Sequence, residues 1–360
     1  MKYKYWLSNI SGISGGKIRS LLEHYKDAEE IFFADEASYG RIPGITPADA
    51  KKLEQSKKTW NPEEKWYRFQ ETGIQFITME DAAYPGRLKH ISSPPYSLYV
   101  KGKMPQETKK AVGIVGARGR SAYGCSVARQ LGENLGKNGI SVISGLARGI
   151  DADAHAGAIH GGGVTFAVLG CGVDVIYPKE NAYLYEEIVQ TGGGILSEYP
   201  LHTPAQRPLF PARNRIISGL SDAVCVVEAR KKSGSLITAD YAMEQGRDVY
   251  AVPGSILDPL SEGCNELIFQ GAIPLLHVCD IAQNLLSATG GEGLQTDFRN
   301  LLLEKDEALV YSFLDFQPHG LENLFMKTHL DCELLMDILE RLQNKGFIRE
   351  IIPNYFVRTI

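Results

Sequence analysis

"AVGIVGARGRSAYGCSVARQLGENLGKNGISVISGLARGID" runs from Ala111 to Asp151, and its reading decides the fold. A short apolar run, AVGIV, ends in a glycine turn; an amphipathic stretch from Ser121 then stops at Gly139. A second apolar run, ISVIS, follows and again ends in a glycine turn. Short, continuously apolar runs joined through helices belong to a parallel sheet covered on both faces. The same alternation continues through VTFAVLG (164–170), GGILSEY (193–199), DAVCVVEA (222–229) and DVYAVPG (248–254). The pattern predicts an α/β fold, a doubly wound parallel sheet, whose ligands sit beyond the carboxyl ends of the strands. The proline-rich lead-in YPGRLKHISSPPYSLYVKG (84–102) carries two short strand-like pieces that would extend the sheet at its edge.

Working outward, residues 63–286 form this α/β domain. Residues 1–62 carry two glycine hairpins, SGISGGKIRSLLEHY and RIPGITPADAKKL, and read as a helical helix-hairpin-helix or SAM-like domain. Such hairpins can offer backbone N–H groups to a phosphate or simply pack a small helical domain, and the sequence leaves both open. Residues 287–297, SATGGEGLQTD, have the composition of a flexible linker. Residues 298–360 read as three helices and a hairpin around Pro353-Asn354, a winged-helix-like domain. Its candidate recognition segment sets Glu333, Asp337 and Glu340 against Arg341 and Lys345, a poor surface for a major groove. Protein docking or plain packing fits it better than duplex binding.

The 360 residues carry a net charge of -5 and a mean hydropathy of -0.16, so any polyanion site must come from local clustering. The six cysteines are scattered without a C-x-x-C pair, which argues against structural zinc and a disulfide frame. No apolar stretch reaches the length of a signal core or a membrane span, so the chain is expected in the cytoplasm, with no membrane partner.

Local clustering is what the loops after the strands provide. GARGRS (116–121), SGLARGID (144–151), GCGVDVIYPKEN (170–181), PARNR (211–215) and RKKSGSLITA (230–239) fall on one rim by the rule for open α/β sheets. They bring Arg118, Arg120, Arg148, Lys179, Arg213, Arg215, Lys231 and Lys232 to one side of the molecule. Between Arg207 and Lys232 six basic residues stand against two acidic ones, Asp222 and Glu228. Arg213 and Arg215 are expected at a loop-to-helix entry, where their forks can reach phosphate oxygens. A helix beginning near Ser235 would turn free N–H groups and the Ser235 and Thr238 hydroxyls toward an anion, and Ser144 with Gly145 repeats the design. Each element has a bland alternative. Gly116 and Gly145 can serve only as turns, Ser235 only as a cap, and Arg215 can pair with Asp222 or Glu228. Taken together, the five loops favour the anion reading. GARGRS lacks the dinucleotide fingerprint and no Walker lysine loop is present, so no cofactor is expected.

GIVGARGRSAYG, VISGLARGIDADAHAGAI, AVLGCGVDVIYPKEN, FPARNRIISGLSDAVCVVEARKKSGSLITADYA and GRDVYAVPG, in this order, resemble the DprA (Smf) DNA-processing family across almost the whole α/β core. The resemblance implies an extended Rossmann-like domain that binds single-stranded DNA, forms a homodimer and loads the RecA recombinase onto the strand during natural transformation. It places Arg118 in the family's G-[SA]-R turn, and Arg148 with Gly149 in its S-G-x-A-x-G-I-D motif. Arg213, Asn214 and Arg215 stand in its R-N-R motif, and Gly234, Ser235 and Thr238 at its glycine-serine helix start. Gly116, Ser144, Gly145, Lys179 and Lys232 complete the expected DNA-binding set, with no catalytic residue and no metal. The rival is a nucleotide hydrolase on the same fold, with Asp151, Asp153 and His155 as an acid/base set. Such hydrolases use P-G-G-x-G-T-x-x-E, whereas KSGSLITADYA lacks the paired glycines and the glutamate.

Overall fold

The computed structural model describes residues 1–287, 304–314 and 318–358, which divide into two compact units after Leu285. The first unit opens with six helices: α1 (Lys2–Ser8), α2 (Gly15–His24), α3 (Ala28–Phe33), α4 (Glu36–Tyr39), α5 (Pro47–Thr59) and α6 (Pro62–Gln70). They pack directly on the edge of the sheet. Asn9 Nδ2 donates to Tyr99 Oη at 2.9 Å, Ser97 and Ser8 hydroxyls meet at 3.0 Å, and Tyr5 joins Phe76 and Tyr99 in one apolar cluster. The boundary expected at residue 62 falls at the start of α6, whose cap is Asn61. At the second hairpin the Thr46 N–H and hydroxyl are both met by the Asp49 carboxylate, which also pairs with Lys17 at 2.7 Å. That helix start is therefore capped from within.

A nine-stranded sheet follows, in the order β1-β2-β6-β5-β4-β3-β7-β8-β9. Its strands are β1 (Gln75–Thr78), β2 (Ser97–Gly102), β3 (Ala111–Val115), β4 (Ser141–Ser144), β5 (Thr165–Leu169), β6 (Gly194–Ser197), β7 (Ala223–Val226), β8 (Asp248–Ala251) and β9 (Ile273–Pro274). From β6 through β9 every neighbouring pair is parallel, whereas β1 and β2 add an antiparallel edge. The lead-in thus supplies one strand rather than two. Its "GRLK" forms the short helix α7 (Gly86–Lys89), and β1 comes from upstream.

The helices α8 (Ala122–Lys137), α9 (Ile150–His160), α10 (Ala182–Gln190), α11 (Leu209–Leu220), α12 (Gly234–Glu244), α13 (Glu262–Phe269) and α14 (Asp280–Ser287) cover both faces. Ile216, Ile217 and Leu220 of α11 with Ala239 and Ala242 of α12 bury one face; Leu131 and Leu135 of α8 with Ala154 and Ala158 of α9 bury the other. Glycines bring α8 and α9 together backbone to backbone. A Cβ on Gly132 would lie 2.4 Å from the Ala154 carbonyl oxygen, and one on Gly157 would lie 2.2 Å from that of Arg129. The chain runs outward from β3 through β4 and β5 to β6, then returns to lay β7 on the other side of β3. This reversal opens a crevice between the loops that leave β3 and β7.

The second unit holds α15 (Lys305–Ser312), α16 (Leu321–Thr328) and α17 (Cys332–Asn344). A three-stranded antiparallel sheet, β10 (His319–Gly320), β12 (Tyr355–Arg358) and β11 (Ile348–Ile352), completes it. Leu324, Leu335, Ile338, Leu339, Leu342, Ile348 and Phe356 form its core. The hairpin turns at Pro353 and Asn354, the latter with φ 67°. Apart from Ser287, the last residue of α14, the expected linker 287–297 lies outside the described residues.

Candidate nucleic-acid interface

The crevice contains a cavity of about 420 Å³. Gly116 and Arg118 enter its wall after β3, Ala147 and Asp151 after β4, and Ser233, Gly234, Ser235 and Thr238 at the start of α12. Arg207 and the α11 residues Phe210, Arg213 and Asn214 close it. A smaller cavity of about 60 Å³ adjoins it, lined by Arg118, Gly145, Arg148, Tyr177, Phe210 and Arg213 among others. Four of the five rim loops thus meet in the larger space, and the fifth reaches the smaller one through Tyr177 and Pro178. Close contact holds the loops in place. Gly149 has φ 77°, and a Cβ there would lie 2.4 Å from the Ala117 carbonyl oxygen, so only glycine lets the loops after β3 and β4 touch.

The two arginines of "PARNR" do not stand before a helix. Helix α11 begins at Leu209, with Pro211 in its first turn, where a missing N–H costs no hydrogen bond. Arg213 and Arg215 therefore lie inside the helix and both are buried. Arg213 Nη1 donates to the carbonyls of Gly145 (3.0 Å) and Val168, and Nε donates to Asn214 Oδ1 at 3.2 Å, while the residue still lines both cavities. Burial lowers its pKa, and Asp151 opposes that shift.

Arg215 differs. Only 8% exposed, it lines neither cavity. Its Nη2 donates to both Glu198 oxygens at 2.7 Å, Nε to Ser93 O at 2.7 Å and Nη1 to Ala212 O at 2.7 Å. The solvent-facing arginine expected from sequence is thus a brace that ties α11 to the end of β6 and to the loop before β2. Its two foreseen partners are engaged elsewhere. Asp222 meets Arg87, Lys110 and the Ala111 N–H, and Glu228 meets Ser121.

The remaining expected residues divide. Arg118 is exposed, with its guanidinium 5.4 Å from the Phe210 ring centroid. Arg148 is exposed and pairs with Glu180 at 2.5 Å. Lys179 and Lys232 are exposed outside both cavity walls. Ser144 is not turned to the rim, since its hydroxyl is fully buried and donates to Ile114 O at 2.6 Å. The α12 cap is Ser233 rather than Ser235; its hydroxyl accepts from the Ser235 N–H at 3.3 Å and meets the Ser235 hydroxyl at 2.7 Å. Thr238 Oγ1 is buried in the cavity wall with no hydrogen-bond partner, an arrangement native proteins tend to complete with a ligand or water.

Among the wall residues outside the expected set, Phe210, Tyr177 and Arg207 bear on a strand most directly. Phe210 and Tyr177 stack at the rim, 5.6 Å between centroids and 28° apart, and exposed Arg207 lines the larger cavity with Phe210. The signal for Phe210 was its place directly before PARNR; Tyr177 carried no local signal.

The proposed acid/base set does not converge. Asp151 Oδ2 accepts from the N–H groups of Gly145 (3.1 Å) and Ala147 (3.4 Å). Asp153 pairs with Arg120 and, at 3.1 Å, with Arg129 of α8, so Arg120 too is engaged. His155 is buried against the sheet, with Nδ1 2.6 Å from Thr165 Oγ1. Because that hydroxyl already donates to Val142 O, Nδ1 must be the donor, and burial pushes the imidazole pKa down to about 3.

Residues 75–286 match the family of DNA recombination-mediator protein A. The Smf protein of Synechocystis sp. is 40% identical over 278 residues, which cover 76% of this chain and 70% of that one. DNA processing protein DprA of Bacillus subtilis is 44% identical over 218 residues, 60% of this chain and 73% of its own. Among solved structures, DprA from Streptococcus pneumoniae superposes with a TM-score of 0.69 at 36% identity, covering 78% of this chain and 97% of its own. DNA processing protein A from Helicobacter pylori, described as having a unique single-stranded DNA binding mode, gives 0.54 at 31% identity, covering 59% and 97%.

Proposed function

This chain belongs to the DNA recombination-mediator protein A family, and on that premise we propose that it is a single-stranded DNA-binding protein whose strand lies along the crevice. One observation carries the reading. At the topological switch point of the sheet, Arg118, Arg207 and Arg213 share a cavity with the start of α12 and the unpartnered Thr238 hydroxyl. Arginine forks and helix N-termini both hold phosphate oxygens. Phe210 and Tyr177 offer a stacking surface, which takes any base because every base has a π-face. Arg148, Lys179 and Lys232 extend the positive field beyond the cavity, and Arg215 acts indirectly by fixing α11.

Binding to oligo-dT should be tighter than to duplex and strongly salt-dependent, each neutralised phosphate adding about -0.7 to the slope of log affinity against log salt. Fluorescence anisotropy across a salt series tests this, and a flat response or a preference for duplex overturns it. The biological role proposed is loading of the RecA recombinase onto the bound strand in the cytoplasm. Among the described residues, no helix is long and apolar enough to cross a membrane. The acting form is proposed to be a homodimer joined at the β9 edge of the sheet, where Phe269 (87% exposed) and Leu276 (68%) leave apolar surface open. No catalytic step is proposed, because Asp151, Asp153 and His155 point toward the cavity, α8 and the sheet respectively.

A further inference from the structure

A carboxylate stands in the wall of a cavity otherwise suited to anions. Asp151, in the first turn of α9, lines the larger cavity together with Arg118 and Arg213 and is almost wholly buried. One of its oxygens holds the Gly145 and Ala147 amides, and so shapes the loop after β4. That task needs an acceptor but no charge; the amide oxygen of an asparagine would serve.

The charge sits across Gly145 from Arg213, since Asp151 accepts the Gly145 N–H while Arg213 donates to the Gly145 carbonyl. This guanidinium is buried, and it donates to the Gly145 and Val168 carbonyls and to the Asn214 amide oxygen, all of them neutral. Asp151 is the acidic group that supports its charged form most strongly. From the other side, Arg213 on α11 and Arg118 on the loop after β3 both support ionised Asp151 against the cost of its burial. The other titratable groups of α9 do not share this task, since Asp153 faces Arg120 and Arg129 and buried His155 faces Thr165. We infer that Asp151 is the resident counter-ion of Arg213 and limits how tightly the cavity holds a phosphate.

A phosphate entering the cavity must share Arg213 with a carboxylate already in place, and two anions on one cation repel. The strand is therefore held below the affinity its arginines alone would give, which suits a protein that must hand the strand on. The inference rests on the cavity being the seat of the strand.

The test is anisotropy with oligo-dT on the full chain carrying Asp151→Asn, with melting followed with and without the oligonucleotide. The variant should bind roughly three- to thirtyfold more tightly, the range for removing one partly screened like charge at short distance. It should melt lower without DNA, because Arg213 loses its compensation, and gain more on adding DNA than the unaltered protein. A folded variant with unchanged or weaker affinity overturns the inference. Asp151→Ser, which keeps a short acceptor, applies the same criterion should the asparagine variant fail to fold. In the unaltered protein, affinity should rise as pH falls and Asp151 protonates, and a flat or inverted response counts against the inference. Arg118→Ala separates the two readings. If it leaves affinity intact, the cavity is not the seat of the strand; if it weakens binding while Asp151→Asn does not tighten it, only the counter-ion role fails.

Discussion

The rim of the α/β core and helix α17 of the second unit both carry cations, yet they use them in opposite ways. On the rim, Arg118, Arg207, Lys231 and Lys232 stand exposed. On α17, Arg341 is drawn to Asp337 at 3.0 Å and Glu304 at 3.1 Å, and just past its end Lys345 meets the buried carboxylate of Glu307 at 2.7 Å. Leu335, Ile338, Leu339 and Leu342 bury one side of that helix, leaving Glu333, Asp337 and Glu340 on the side away from the core. What matters for a polyanion is therefore which cations remain uncommitted, and a net charge of -5 says nothing about that.

Within the rim itself, α11 holds a committed cation, Arg215, paired with Glu198. Its loss should have the largest effect. Arg215→Ala leaves the partly buried Glu198 without its partner and should cost about 3 kcal/mol of stability, the low end for breaking a pair that is not fully buried, read as a lower melting temperature. Oligo-dT affinity measured well below that temperature should stay close to normal. A variant with normal melting and lost binding would move Arg215 to the uncommitted side. Next in size is Arg118→Ala, which should weaken oligo-dT binding by about 1.5–3 kcal/mol, the range for a charge-assisted hydrogen bond, with melting unchanged. Phe210→Ala should lose about 1–3 kcal/mol of binding through one stacked base, with little dependence on which base is offered. The smallest effect is expected from removing everything after Ser287. Affinity should remain within about threefold, since one decade already corresponds to about 1.4 kcal/mol. A hundredfold loss would show that the second unit contributes cations that the contrast denies it.

The strands and the crevice were legible because continuous apolar runs and glycine turns are local signals. β3, β4, β5, β6 and β7 are buried at every residue, as runs covered on both faces must be. Gly116, Arg118, Gly234 and Ser235 come together in the larger cavity for the same reason, each beside a strand end or a helix start, and Arg213, Asn214 and Thr238 join them from one turn into their helices. The direction of individual side chains was not legible. Whether Arg215 meets Asp222, Glu228 or Glu198 depends on how α11 lies against β6 and Ser93, contacts 17 and 122 residues away in sequence. Ser144 looked like a phosphate ligand by motif, but the last residue of a buried strand turns its hydroxyl to the neighbouring strand when that strand offers a carbonyl. The start of α11 was misplaced because Pro211 reads as a breaker, although proline is well tolerated in a first turn.

The glycine-lined contact between α8 and α9 has a mechanical consequence. These helices carry the loops after β3 and β4, and with carbonyls lying where side chains would otherwise intervene, there is no compressible layer between them. Gly149 locks the two loops a second time at their tips. The backbones that carry Arg118 and Arg148 are thus mounted on a single stiff plate, and one loop cannot advance on a ligand while the other stays behind. Adaptation to strands of different sequence then falls to the side chains and to the DNA, whose own backbone is the softer partner.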